Sequence, residues 1–545
     1  MMTVTAKRGM TRRSLLASAA GALAGGLARP GGALAALAGA AGPVAADPIR
    51  FARSIGTLSA RAVTVDLGAN ADLVGVEWDA RPGAAGAVGL ELRFRGYDGS
   101  WSRWVSAGQH GHGPDVSAAT SRAIGDPLWT GGTTTVQVRA GQTLSGVRLQ
   151  LVDVSAGRGA RRQALSGGPL ATAAALPILT PALPAGPGQP SIIARRAWAD
   201  GVSPPRVAPE YGDVEMAFVH HTENPNGYSP GEVPAMLRAI YVFHRYVNGW
   251  NDIGYNFVLD LFGRIFEARA GGIDEPVVGA QAGGYNIYST GIAVLGSFSD
   301  VPISLAARAS LERLLAWKLS LHGVSAIGRV TVRVDPAGAR YSRFPAGAHV
   351  SLPHIAGHRD ADATECPGNA LYGDLPALRR SVQQLAGRPA RVTLSLTAAT
   401  AVPPGTGQPS AGEPNTGEPS TGAPVTAEPS PPTLTGALEF VEGTPIAGAP
   451  IEVQVRSVSR NGEVVAEQTL TQVTTAANGT WSVPISVSPP TRAGAWVRAL
   501  CPGAPGVPAA VSEPLHLTGT VAVPTPTPTP STPTPAPPGA PAPTP

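Results

Sequence analysis

Two long stretches of this chain alternate apolar and polar residues with the period of a half-buried strand. Between them lies a stretch that mixes short apolar runs with helical spacing. In residues 47–155 the alternating runs are Leu73–Trp78, Leu90–Phe94, Thr134–Val138 and Val147–Val152. Asp98-Gly99 marks a hairpin turn, with Trp101–Val105 as the returning strand. This pattern predicts an N-terminal β-sandwich. Trp78, Trp101, Trp104 and Trp129 fit its core and hairpin packing, with a sugar-binding face as the alternative. In residues 433–520, Ile451–Val455 alternates cleanly, and Asn461-Gly462 and Asn478-Gly479 are hairpin signals. A second, immunoglobulin-like β-sandwich is expected there.

Residues 191–388 read as an α/β unit. Val214–Val219 is an apolar-leaning run of strand length ending in His220-His221-Thr222. Val233, Leu237, Ile240, Tyr241 and Val247 then form one helical stripe, which Asn248-Gly249 ends with a left-handed cap. A hairpin is predicted around a turn at Asp260–Gly263, and a buried strand at Gly291–Leu295. Helices follow at about 304–322, ending at Gly323, and from about Leu375 to Leu385. The expected fold is therefore multidomain: a central mixed sheet flanked by helices between N-terminal and C-terminal β-sandwiches.

Composition separates these units. The chain of 545 residues holds 67 Gly and 55 Pro, too many for one packed globule. Residues 156–190 and 389–432 read as linkers, although Arg391–Leu396 has strand character. Residues 521–545, rich in Thr-Pro, form a disordered tail. Residues 11–17 read Thr-Arg-Arg-Ser-Leu-Leu-Ala, and an Ala/Leu/Gly-rich run follows to Val44-Ala45-Ala46. This resembles a twin-arginine export signal cleaved after Ala46, and implies a secreted or wall-associated protein. The rest of the chain has no apolar stretch long enough for a transmembrane helix. The net charge of +4 is carried almost wholly by scattered Arg, and no basic run points to nucleic acid. A monomer is expected. The two cysteines, Cys366 and Cys501, fall in different predicted domains, which argues against a disulfide between them.

Candidate chemistry concentrates in the α/β unit. Neighbouring side chains on a strand point to opposite faces, so only one of His220 and His221 can face a given site. Gly357-His358-Arg359-Asp360 lies further on, and Cys366-Pro367-Gly368 follows eight residues after His358. Asp252 and Asp360 read as turn or supporting residues. His221, His349 and His354 read as packed or hydrogen-bonded histidines.

Four segments of this unit resemble the type-2 N-acetylmuramoyl-L-alanine amidases and the peptidoglycan recognition proteins. They are Phe218–Thr222, Gly249–Phe257, Gly283–Asn286 and His358 to Asn369, in family order. The resemblance implies a zinc ion held by His220, the first histidine of the pair, with His358 and Cys366. Three ligands of N, N and S type leave a fourth tetrahedral position for water, as catalytic zinc requires. It further implies Tyr255 as a catalytic hydrogen-bond donor, and Thr364 as a hydroxyl near the developing oxyanion. His244, Arg269 and Asn286 are the implied substrate contacts. The activity implied is hydrolysis of the amide between N-acetylmuramic acid and L-alanine of peptidoglycan. The alternative is a surface protein that binds peptidoglycan without cutting it. The chain departs from its relatives at Gln281, where many carry His; this puts substrate contacts in doubt rather than the metal. A Gly-Trp pair common after the hairpin arginine is also missing, since Ala270-Gly271-Gly272 follows Arg269.

Overall fold

A computed structural model describes residues 49–79, 88–107, 122–155, 178–179, 188–199, 204–397, 432–458, 464–488, 495–503, 506–517 and 520–522. The export signal, most of the first predicted linker, residues 398–431, the Asn461-Gly462 turn and residues 523–545 of the predicted tail lie outside them.

The N-terminal unit has strands β1 (Ile49–Leu58), β2 (Val63–Asp79), β3 (Glu91–Phe94), β4 (Val105–Ser106), β5 (Arg122–Ile124), β6 (Leu128–Arg139) and β7 (Leu144–Asp153). They join in the order β1-β7-β2-β6-β3-β4, with β5 on β2. The pairing is antiparallel throughout. Register shifts between Asp66 and Leu73 bend the long β2, so that Val65 and Leu67 share one core with Val74, Val76 and Trp78. The expected return strand after Asp98-Gly99 is shorter than predicted. Trp101 makes only an isolated bridge to Arg95 before β4. Trp78 and Trp129 are buried, whereas Trp101 and Trp104 are covered by the Arg93 guanidinium and Trp104 also by that of Arg139. Trp78 and Trp129 therefore follow the packing reading.

The central unit has β8 (Ile178–Leu179), β9 (Ile192–Ile193), α1 (Arg196–Ala199), β10 (Met216–His221), α2 (Val233–Val242), β11 (Phe257–Leu259) and β12 (Ile265–Glu267). It continues with β13 (Ser289–Val294), α3 (Leu305–Leu321), β14 (Arg329–Arg333), β15 (His349–Pro353), β16 (Ile355–Gly357) and α4 (Asn369–Ala386). The sheet order is β16-β10-β13-β11-β12-β9-β8. Strands β16, β10, β13 and β11 are parallel, and the β11–β12 hairpin is antiparallel, giving the expected mixed sheet. Ala217 and Val219 face the leucines of α3 and α4, while Met216 and Phe218 face the other side. Ser304 caps α3 by accepting from the Ala307 N–H, and Gly323 ends it with φ +68°. Helix α4 starts six residues earlier than Leu375, the expected position, and runs through Pro376. Leu371, Leu375 and Leu378 are buried in the core beneath the sheet, and that packing outweighs the helix-breaking residue.

The C-terminal unit has β17 (Ala390–Val392), β18 (Ser395–Thr397), β19 (Thr433–Phe440), β20 (Pro450–Val458), β21 (Val464–Thr474), β22 (Thr480–Pro484) and β23 (Ser486–Ser488). Then come β24 (Ala495–Cys501), β25 (Ala510–Val511), β26 (Leu515–Leu517) and β27 (Thr520–Ala522). One sheet is built on β17-β19-β18 with β22, the other on β21-β20-β24-β25 with β26. Leu434, Leu438 and Trp481 of the first pack against Ile451, Val453 and Val497 of the second. The predicted linker 389–432 needs correction. Both β17 and β18 pair with β19, so the β-unit begins at Ala390. Cys366 and Cys501 are both free thiols, in separate cores.

Candidate metal centre

Strand alternation decides the histidine pair. His220 falls on the Phe218 face of β10, and its ring lies 6.3 Å from that of Phe218. His221 faces the helices; its Nε2 lies 2.9 Å from Glu223 Oε1, and its Nδ1 accepts from the Phe298 N–H at 3.3 Å. His358 follows β16, the strand beside β10, so two parallel strands deliver both rings at their carboxyl ends. The His220 and His358 rings are 4.5 Å apart. The loop after His358 returns Cys366 beneath His220. All three side chains are buried, and a ligand atom from each lies within 4.8 Å of the other two. Among the described residues, this is the group of His, Cys and carboxylate side chains able to hold a metal ion.

The hydrogen bonds around the rings fix which nitrogens face the centre. Gln281 Oε1 lies 2.6 Å from His220 Nε2. Gln281 Nε2 donates to Ser289 Oγ at 2.9 Å, and Ser289 Oγ donates to the Tyr285 carbonyl at 2.9 Å. With the serine proton committed to a carbonyl, Ser289 Oγ accepts, so the Gln281 amide nitrogen must face it. The amide oxygen therefore faces His220 and can only accept. It follows that Nε2 carries the imidazole proton and Nδ1 presents its lone pair. That Nδ1 lies 3.6 Å from Cys366 Sγ. Tetrahedral zinc bonds of about 2.0–2.1 Å to nitrogen and 2.3 Å to sulfur would place such a pair about 3.6 Å apart.

His358 is set in the same way. Its Nε2 meets Asp362 Oδ2 at 2.9 Å, and the same oxygen accepts from the Gly283 N–H at 2.8 Å. Each ligand histidine thus has its second nitrogen engaged by an acceptor, the usual support of metal-binding imidazoles. Burial pushes the Cys366 thiol well above its usual range, while the His221 N–H, which donates to Sγ at 3.4 Å, pulls it down. A buried thiol with a backbone donor aimed at its sulfur is a donor that a cation would convert to thiolate.

The other expected residues are spread around this centre. The Tyr255 ring packs 5.4 Å from that of His220, and burial drives its phenol well above 10, so it remains an O–H donor at neutral pH. Thr364 Oγ1 accepts from the Cys366 N–H at 3.1 Å and so braces the ligand loop. His244 lies beneath the cleft: its Nδ1 accepts from the Gly254 N–H at 3.1 Å, and its ring packs 4.5 Å from that of Trp250. Arg269 donates to the Ile253 carbonyl at 3.0 Å and lines a small pocket with Asp252, Asn251 and Glu210. Asn286 Oδ1 accepts from the Gln281 and Ala282 N–H groups at 2.8 and 3.0 Å, which holds the turn carrying Gln281. Asp252 accepts from Arg195 and from the Ile253 and Ala270 N–H groups, as a turn residue should.

Sequence reasoning missed Asp362 and left the effect of Gln281 open. The spacing of Asp362, four residues after His358, was an available signal. Gln281 is fully buried, with its amide oxygen on His220.

Residues 210–369 match the family described as N-acetylmuramoyl-L-alanine amidase. The central domain belongs to the type-2 amidase and peptidoglycan recognition family. Human N-acetylmuramoyl-L-alanine amidase is 28% identical over 224 residues, which are 40% of this chain and 33% of the human protein. The chain therefore spans about a third of that relative's length. Peptidoglycan-recognition protein SC1a/b of Drosophila simulans is 27% identical over 162 residues, 30% of this chain and 72% of the fly protein. Among solved structures, wild-type Drosophila PGRP-LB is similar over 34% of this chain and 92% of its own, at 25% identity and a TM-score of 0.26. Residues 38–167 match a family described as Rv3811 N-terminal galactose-binding domain-like. Among the described residues, no helix is long and apolar enough to cross a membrane.

Proposed function

We propose that this chain is a zinc-dependent amidase that hydrolyses the bond between N-acetylmuramic acid and L-alanine of peptidoglycan outside the cell that makes it. The observation that carries this reading is the His220, His358 and Cys366 group, with both imidazoles oriented by their outer partners. When bound, zinc supplies Lewis acidity that activates water and polarises the amide carbonyl. His220 and His358 hold the ion as neutral donors, and Cys366 holds it as a thiolate. Tyr255, kept protonated by burial, donates its O–H to the oxygen on which charge develops. Thr364 keeps Cys366 in place through its backbone N–H. His244, Arg269 and Asn286 shape the cleft from behind, through the loops that they hold.

The second reading is a binder that does not cut. A complete N, N, S ligand set beside a buried phenol argues for catalysis, because a pure binder gains nothing from a metal with an open position. The test uses purified chain and whole peptidoglycan, with and without chelator, and mass spectrometry of the products. Stem peptides with a free L-alanine amine should appear only when metal is present. Full activity in Cys366→Ala would overturn the assigned centre, and binding of peptidoglycan without product would favour the binder.

A further inference from the structure

The N-terminal β-unit is not packed against the central unit as an independent bead. Leu73, Trp129, Val152 and Val154, from β2 through the end of β7, belong to the same buried cluster as Leu237, Ile240 and Phe243 of the α2 region and as Tyr255. Phe243 enters a notch that exists because residue 75 is glycine: a Cβ built there would lie 2.2 Å from Phe243 Cε2 and 2.3 Å from its Cζ. The Trp129 N–H donates to Asn224 Oδ1 at 2.7 Å, and this bond is buried.

Asn224 stands in the turn that leaves β10 just after His220. In that turn Glu223 has φ +56°, a left-handed conformation that strains a residue with a side chain. Such a turn persists only where its surroundings fix it. Asn224 Nδ2 donates to Thr222 Oγ1 at 3.0 Å, and Thr222 Oγ1 also accepts from the Gly296 N–H at 3.0 Å. The N-terminal unit thus holds one end of a relay that fixes the backbone beside the first metal ligand.

We propose that the N-terminal β-unit is a working wall of the metal cleft: it clamps the strained turn after His220. The clamp rests on the proposed metal centre and not on the amidase activity. The unit of function is then residues 49–388 rather than the family domain alone.

The test keeps the full chain. A protease recognition sequence is inserted after Ala160, cut, and the product run on a sizing column at micromolar concentration. The two fragments should elute together, and metal affinity by chelator competition should match that of the uncut chain. Gly75→Val should open the seam and weaken metal binding at least tenfold. Gly75→Val combined with Phe243→Ala, which returns the lost space, should recover most of it. Separation of the fragments with metal affinity retained would overturn the clamp, as would unchanged affinity in Gly75→Val. A wild-type chain that binds metal but cleaves no muropeptide would instead defeat the amidase reading, leaving the elution and affinity results to judge the clamp.

Discussion

Gln281 and His220 are joined by a 2.6 Å contact in which the amide oxygen accepts the imidazole proton. The direction of that bond follows from Ser289 behind it, and it leaves Nδ1 to the metal centre. Gly291 makes room for the arrangement, since a Cβ there would run into the Gln281 side chain.

Gln281→Leu keeps the volume and removes the acceptor. His220 then loses both its tautomer preference and its ring orientation. Metal affinity should fall by about 10–100-fold, the usual cost of losing such a supporting group. Chelator competition measures this without reference to turnover. Affinity equal to wild type would mean that Gln281 only fills space.

Tyr255→Phe separates the phenol from the packing. The ring keeps its place beside His220, so metal content and the unfolding midpoint should stay close to wild type. The hydroxyl is needed only where charge develops on the amide oxygen, so kcat should fall by about 10²–10³, the range for loss of one oxyanion donor. A rise in KM alone would assign Tyr255 to substrate binding instead.

The seam with the C-terminal β-unit is ionic. Arg456 pairs with Asp274 at 2.6 Å and with Glu275 and Glu467, while Arg498 meets Asp274 at 2.5 Å and Glu275 at 3.3 Å. Burial pushes the Asp274 carboxyl up, but Arg456 and Arg498 outweigh it and hold it well below the carboxylate range. Arg456→Leu leaves buried carboxylates with one cation fewer, which should cost about 3–5 kcal/mol in denaturant unfolding. Arg456→Leu with Glu275→Gln should return part of that. No loss in the single variant would show that the seam is open to water in solution.

These relationships differ in how far the sequence displayed them. The candidate ligands His220, His358 and Cys366 sit in short local patterns, and strand alternation already separates His220 from His221. The strands of the N-terminal and central units were legible because their apolar period is local too. The place of Gln281 was not legible because a buried amide and a substrate-facing amide look alike in one dimension; the Ser289 and Tyr285 contacts tell them apart. The β17 and β18 strands fell inside a presumed linker because their partner, β19, lies across residues 398–431. The Gly75–Phe243 notch and the Trp129–Asn224 bond join residues far apart in the chain, and nothing local marks either.

Stability should depend on pH through the α3 end of the C-terminal seam. Burial drives the Lys318 ammonium down to about 7, although Asp274 and Glu275 pull it upward and Arg456 and Arg498 add to the fall. Its Nζ donates to the Ile273 and Glu275 carbonyls at 3.0 and 2.8 Å, bonds that the neutral amine still makes. Burial also holds His322 well below its ordinary value, and Lys318 adds to this. In both cases the unfolded chain keeps a proton that the folded chain has released, so stability rises with pH. For Lys318 the window runs from about 7 to the unfolded value of about 10.4. Above about 8.5 the sign reverses: burial raises the Cys501 thiol to about 11 and the Cys366 thiol well above its ordinary range, so there the folded chain holds the extra protons, and above about 10 the Tyr241 phenol, raised to about 12, adds to them. Urea midpoints measured from pH 6 to 11 should climb to a maximum at about pH 8.5–9 and then fall. Lys318→Met, which cannot titrate, should flatten the climb above about pH 7. A climb of the same size in Lys318→Met would place its origin in other groups.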